Sequence, residues 1–451
     1  SLPRDRRGAG MKKGAKKRKS TKKRSRARVS PEYNILLTAT LCLLALGAVM
    51  VFSASSTTRV LQDGGLSDSA FYLKRTLLFG AVGLAIMWFA SRHGLRVIRE
   101  ITPLLLGGSI FLLLAVLAAG TEVNGATRWI GGGFLQIQPS ELTKVALILY
   151  GADLLSRKPV RARSLEGMMP FLLVVGASCL LIMLQPDMGT TMVICFSVGA
   201  TLVAAGARPA DLGKIALVIG CLALLMAVVE PYRMARLTSF LNPAADASGA
   251  GFQAAQAKIA LGSGGFLGDG LGNGVQKAFY LPEAHTDMIT AVIGEELGFV
   301  GITAVVGLFA MFGYAGLKTA QKAKDAYGKI LVAGLTSLVL VQATINLFAV
   351  MGMAPLTGVP LPFVSYGNSS LMATLLAVGL ILNVARGGTA KAARASTPTR
   401  AGKLRAIDGG RSPARERNRA NGARKAKGSG GGGGNRGARG ARHGGRRRAS
   451  G

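Results

Sequence analysis

Of the 451 residues, 49% are hydrophobic and only 17% are charged, yet the formal net charge is +34. A single soluble globular domain does not combine these properties. Residues 1–30 hold 14 Lys or Arg against Asp5, and residues 387–451 hold 18 against Asp408 and Glu416. The two tails therefore carry 29 of the 34 charges, and the middle of the chain is nearly neutral.

The first tail, residues 1–32, contains KKGAKKRKSTKKRSRAR and has too little apolar content to fold, so disorder is expected there. The Gly/Arg-rich segment 387–451 is read the same way. Beside a membrane such polycations are attracted to anionic lipid head groups, by roughly 1 kcal/mol per basic residue near the surface. No base-reading module accompanies them, so specific binding to nucleic acid is not expected.

Residues 33–386 hold repeated apolar runs of the length that crosses a hydrocarbon core, about 17–25 residues as helix. In chain order they fall at about 35–52, 76–90, 101–119, 140–155, 168–184, 188–206, 215–229, 289–317, 330–353 and 369–385. The first run exceeds the usual h-region of a cleaved signal peptide, so it counts as a span. The strict apolar/polar alternation of a membrane barrel is missing. The expected fold is all-α: a polytopic integral membrane protein with about ten transmembrane helices.

The connections give a topology. Arg92, Arg96 and Arg99 follow the second run; Arg157, Lys158, Arg161 and Arg163 follow the fourth; Arg208 and Lys214 flank the turn after the sixth; Lys318, Lys322, Lys324 and Lys329 follow the eighth. Basic loops mark the cytoplasmic side, which also receives both tails, so the span count is even and both termini are cytoplasmic. The outer side receives loops near 54–72, 120–139, 185–187, 231–286 and 354–368. The segment 231–286 is the longest, and a connection of that length is usually functional. Cys42, Cys179, Cys195 and Cys221 lie inside apolar runs without metal-site spacing, and read as small core residues.

Polar motifs gather toward the outer side, where each ionisable group near a span is either a functional candidate or a structural partner. They are Arg128 and Trp129 in TRWIGGG, Glu141 and Lys144 in QPSELTK, Asp187 in QPDMGT, and Arg233 and Arg236 in PYRMARLTSFLNP. The richest stretch, GLGNGVQKAFYLPEAHTDMITAVIGEELG, brings Lys277, Glu283, His285 and Asp287 to the entrance of the eighth span. If that helix starts near Thr286, Asp287 either serves chemistry or stabilises the first helical turn. Ala291, Gly294 and Gly298 below it leave either a smooth groove or a close helix contact. Glu295 and Glu296 read as paired structural charges. The arginines suit a phosphate or diphosphate through their forked donors, although ion pairs explain them equally well. Trp129 is alternatively an interfacial anchor.

The last outer loop, PLTGVPLPFVSYGNSS, is dense in Pro and Gly. Such backbone at membrane depth must pack in protein or line a wet cavity, so it is expected to help build a site, with Ser365 and Ser369 as contacts and Gln342 and Asn346 satisfying its backbone.

Together, RWI, QPSEL, QPDMGT, LPEAHTD with GEELG, and PLTGVPLPFVSYGNSS resemble, in the same order, the SEDS family (shape, elongation, division and sporulation) over residues 33–386. GLGNGVQKAFYLPEAHTD is closer to its division branch than to its elongation branch. Asn368 departs from the pattern, which has a second glycine there. The resemblance implies a peptidoglycan glycosyltransferase that polymerises lipid II into β-1,4 glycan strands at the outer face of the bacterial cytoplasmic membrane, releasing undecaprenyl diphosphate. It implies Asp287 as the catalytic carboxylate, acting as general base or as holder of a divalent cation (Mg or Mn). It places Trp129 in the same cavity, with Arg128, Lys144, Arg233, Arg236, Lys277, Glu283 and His285 as substrate-binding candidates. The implied partner is a class B penicillin-binding protein transpeptidase among other divisome proteins at the septum. A lipid II flippase would instead stagger charges through the bilayer. A non-catalytic divisome scaffold would need only the outer loops.

Overall fold

The computed structural model describes residues 30–62, 70–123, 126–132, 136–229, 234, 238–240, 250–281 and 283–387. Helices stand at all ten expected spans: α1 (Pro31–Gln62), α2 (Phe71–Arg92), α3 (Leu95–Ala119), α4 (Pro139–Arg157), α5 (Leu165–Met183), α6 (Met188–Ala205), α7 (Pro209–Val229), α10 (Ile289–Lys322), α11 (Ala326–Val350) and α12 (Asn368–Ala385). Two shorter helices lie in the long segment between α7 and α10, α8 (Ala250–Ser263) and α9 (Gln276–Phe279). Nine of the ten long helices are apolar enough to cross a membrane. The other, α4, carries Glu141, Lys144, Asp153 and Arg157, and its environment explains them: most of its residues are buried among other helices.

Helices α11 and α12 form the centre, with α2 packed along α12, α6 along α11 and α1 along α10. At one close approach, a side chain on Gly47 of α1 would begin 2.5 Å from the Phe363 carbonyl oxygen and 2.7 Å from Val364 Cα, so only glycine lets the loop between α11 and α12 lie there. In contrast, only 6% of the apolar window of α7 is buried; it stands at the rim with lipid as its main solvent.

The start of α1 meets the ends of α10 and α12. The Ser30 hydroxyl donates to the Ala385 carbonyl at 3.2 Å, Arg386 lies 4.8 Å over the Tyr33 ring, and Lys322 pairs with Glu32. Both ends of the membrane domain therefore leave from one side of the bundle. Arg99 and Arg157 both pair with Asp153, and Arg99 lies over Tyr327 at the start of α11, so these expected loop cations share one face.

Two expectations are corrected and one element is added. Cys42 and Cys221 are exposed on helix surfaces and Cys179 and Cys195 are half-buried, because in a bilayer the outward face of a helix is as apolar as the inward one. The 120–139 loop contains a short hairpin, β1 (Thr121–Val123) against β2 (Ala126–Trp129), with Thr121 opposite Trp129. Helix α10 starts at Ile289, not near Thr286, and its N-cap is Met288.

Helix α10 is also broken, at Gly298 (φ 64°, ψ −159°), a conformation that glycine alone adopts readily. A break strands backbone groups, and near lipid each costs several kcal/mol unless re-paired. The Gly-rich loop after α8 re-pairs them. The amides of Asp269 and Gly270 donate to the carbonyls of Glu295 and Glu296 at 2.9 and 3.1 Å. The amides of Phe299 and Val300 donate to the carbonyls of Gly265 and Phe266 at 3.0 and 3.2 Å.

Candidate functional site

Asp287 sits half-buried in the turn Glu283–Met288, one residue ahead of the α10 N-cap, and no side chain caps that helix. The Thr286 hydroxyl lies 3.2 Å from Asp287 Oδ1 and 3.3 Å from Glu283 Oε2, between two carboxylates. Glu283 holds a left-handed φ of 54°, a cost that tends to persist where function needs a special geometry.

The backbone of this turn is fixed from α11. Asn346 Nδ2 donates to the carbonyls of Asp287 and Val359, each at 2.8 Å, while its Oδ1 accepts from Thr290 at 2.7 Å. One buried amide thus ties the Asp287 turn, the loop between α11 and α12, and α10 together. Gln342, one turn away, donates to the Pro360 carbonyl at 3.1 Å and lies 3.3 Å from Ser370 Oγ. These contacts answer the expectation that α11 satisfies the loop. Replacing Asn346 with Ala leaves two carbonyls and a hydroxyl without this partner, and should cost about 1–3 kcal/mol for each buried group not re-paired. Thermal unfolding in detergent would read this as a lowered midpoint; an unchanged midpoint would refute the linchpin role.

The loop then passes directly by the carboxylate. A side chain on Gly358 would begin 3.9 Å from Asp287 Oδ2, and one on Gly189 would begin 2.6 Å from the Thr357 carbonyl, so the N-terminus of α6 abuts the same loop. There Asp187 caps α6 through the Thr190 amide at 3.0 Å and accepts from Gln138 Nε2 at 3.2 Å. The Gln138 amide donates to Ser369 Oγ at 3.1 Å, and the Leu361 amide donates to Ser365 Oγ at 2.8 Å. Phe363 holds φ 67° with its ring buried between Phe309 and Phe312. The expected motifs from four separate stretches therefore meet around one loop.

Two lysines face inward. Lys144 donates to Glu141 and to Gln342, both at 2.9 Å. Lys277, 2% exposed, lies 2.5 Å from Glu296 Oε1 and 3.0 Å from Ser53 Oγ of α1. Of the two readings open for these lysines, structural pairing is the one realised. Glu295 accepts from the amides of Val275 and Gln276 at 2.7 and 2.9 Å, holding α9. Below Asp287, Gly294 meets Leu261 of α8, so the small residues serve a close contact and not a groove.

Trp129 and Arg128 sit on β2, half-buried. The Trp129 carbonyl accepts from Thr121 at 3.2 Å, and Arg128 donates to the carbonyls of Gln185 and Pro186, fixing the hairpin next to Asp187. Arg233 and Arg236 lie outside the described residues.

A further cluster was not anticipated. His285 packs between Tyr72 and Tyr366, with ring centroids 4.3 and 5.5 Å away, and its carbonyl accepts from the Tyr366 amide at 2.9 Å. Burial pushes the Tyr366 hydroxyl above its ordinary pKa, opposed by the neighbouring Arg75 guanidinium and a hydrogen bond with Asn368, so the phenol stays neutral at physiological pH. The signal in the sequence was Arg75 itself, a cation at the edge of the second apolar run.

Comparison with known proteins follows the same boundaries. The profile of the FtsW–RodA–SpoVE family of cell cycle proteins matches residues 34–389. The chain belongs to this family. It is 40% identical over 360 residues to the "Probable peptidoglycan glycosyltransferase FtsW" of Trichlorobacter lovleyi, covering 79% of this chain and 94% of that one. It is 42% identical over 365 residues to stage V sporulation protein E of Bacillus subtilis, covering 80% and 98%. Among solved structures it resembles a chain from a peptidoglycan synthase complex that coordinates polymerization and crosslinking (TM-score 0.63, 28% identity, 78% and 97% covered). It also resembles the rod shape determining protein RodA of Thermus thermophilus (TM-score 0.57, 27% identity, 78% and 95% covered). The FtsW–RodA–SpoVE match leaves out only the basic tails and spans every helix described above.

Proposed function

We propose that this multi-pass membrane protein is a peptidoglycan glycosyltransferase of the division type, polymerising lipid II at the outer face of the cytoplasmic membrane. In the reaction the GlcNAc 4-hydroxyl of one lipid-linked disaccharide attacks C1 of MurNAc on the growing strand. The C1–O bond to undecaprenyl diphosphate breaks, and a β-1,4 link forms with inversion. The observation that carries this reading is Asp287: a half-buried carboxylate ahead of the α10 N-cap, its backbone carbonyl held by Asn346 and its side chain beside Gly358, among the loops that an outer-face substrate would meet.

Asp287 takes the hydroxyl proton as general base, which requires the acceptor oxygen within about 2.6–3.2 Å of a carboxylate oxygen. Thr286 and Glu283 orient it. The alternative role is that of a metal holder: two carboxylates and a hydroxyl suit a hard cation such as Mg or Mn, which Asp287 with Glu283 would hold in place of proton transfer. Bound there, such an ion would neutralise the departing diphosphate. Arg128 and Trp129, on the hairpin beside Asp187, are the groups we assign to substrate contact.

The orientation we infer places both tails in the cytoplasm, where their charge meets anionic lipid. A class B penicillin-binding protein would supply cross-links within the septal assembly. Support comes from the similar chain found in a peptidoglycan synthase complex. The purified chain, given labelled lipid II in detergent with and without that transpeptidase, should lengthen glycan strands. If strands fail to grow under both conditions, the flippase and scaffold readings take its place.

A further inference from the structure

The Gly-rich loop Gly264–Gly274 closes the break in α10, yet its side chains point away from the protein. Phe266 and Leu267 are 67% and 76% exposed, and Leu271 is 55% exposed. Phe266 and Leu267 adjoin the α10 stretch with Phe299 and Val300, also exposed, and the Phe266 and Phe299 rings stack at 5.8 Å. Water is a poor solvent for such a patch.

Helix geometry sets its depth. From the break to Lys318, α10 runs about 30 Å at 1.5 Å per residue, which matches the hydrocarbon thickness. Lys318 and Lys322 mark one interface, so Gly298 stands at the other. The loop packed on Phe299 and Val300 is therefore at the level of the opposite leaflet, on a surface continuous with the lipid-facing side of α10. Its backbone is prepared for that setting. Besides the four bonds across the break, the Gly268 amide donates to the Gly264 carbonyl at 2.7 Å and Asn273 Nδ2 donates to the Asp269 carbonyl at 3.0 Å. Exposed Asp269 limits the depth to the head-group boundary.

We propose that Gly264–Gly274 is a membrane-inserted finger whose Phe266, Leu267 and Leu271 dip into the acyl chains of the leaflet on the Asp287 side. Its occupant is lipid. The finger anchors to that leaflet the segment that continues through Lys277 to Asp287. The proposal needs only that the chain spans a membrane, so it stands or falls apart from polymerase activity.

The test is spin labelling of the full chain in proteoliposomes, with Cys42, Cys179, Cys195 and Cys221 replaced by Ala and single cysteines placed at Phe266, Leu267, Asp269 and Phe299. Collision of each nitroxide with oxygen and with a water-soluble nickel chelate gives a depth parameter. Labels at Phe266 and Leu267 should share the positive, oxygen-dominated sign of Phe299, while Asp269 gives a nickel-dominated sign. Nickel dominance at Phe266 and Leu267 would overturn the proposal. So would protection that develops only when a transpeptidase is added, which would make the patch a protein contact. Label at Phe299 confirms in the same samples that the protein has inserted and folded.

Discussion

Substituting Asp287 by Asn should abolish strand elongation, with a loss of about 100-fold or more if the carboxylate is the base that takes the acceptor proton. Asn keeps the size of the side chain and an oxygen able to accept from Thr286, and the turn is held through the Asp287 backbone carbonyl by Asn346, so the variant should fold and insert normally. The expected pattern is an unchanged melting temperature, retained lipid II binding and no polymer on a gel. Wild-type rates in the variant would remove Asp287 from the mechanism. A variant that no longer binds substrate would instead make the carboxylate a binding group.

The second large effect concerns stability. Glu296 is fully buried, accepts from Ser53 at 2.7 Å and faces Lys277, itself enclosed. Replacing Glu296 by Ala strips the ammonium of its counter-charge away from water, which should cost about 3–5 kcal/mol. The double variant Lys277→Met, Glu296→Leu removes both charges and should recover most of that loss, because apolar side chains of similar volume replace a buried pair at little cost. Melting curves of the two variants in one detergent decide the matter. Equal destabilisation in both would show that shape alone, and not the charge pair, holds α9 to α1 and α10.

The ten long helices were legible as apolar runs, nine of them apolar enough to mark a crossing by length and hydropathy alone. Which face of each helix turns inward was not, because lipid and protein interior are equally apolar; this is why Cys42 and Cys221 were misplaced. Asp287 was singled out from its motif and Asn346 from its place inside an apolar span, as polar residues that a bilayer tolerates only with a purpose. Lys144 and Lys277 illustrate the limit. A cation near an outer loop reads the same whether it faces substrate or a carboxylate brought from another helix, and only the fold shows Glu141 and Glu296 beside them. The break at Gly298 and the hairpin at Trp129 depend on pairing with distant residues, so no local pattern announced them. Arg75 was overlooked because Tyr366, which it faces, lies nearly three hundred positions away.

Because Ser30 and Ala385 share a hydrogen bond, the membrane domain is almost a closed loop of chain. A short peptide joining these two points, with new ends opened in a basic connection such as that between α10 and α11, would keep every crossing in its original direction. Such a rearranged gene should still yield an inserted protein, and the same neighbourhood means that fluorophores fused to the two ends of this domain would report from a single spot on the membrane.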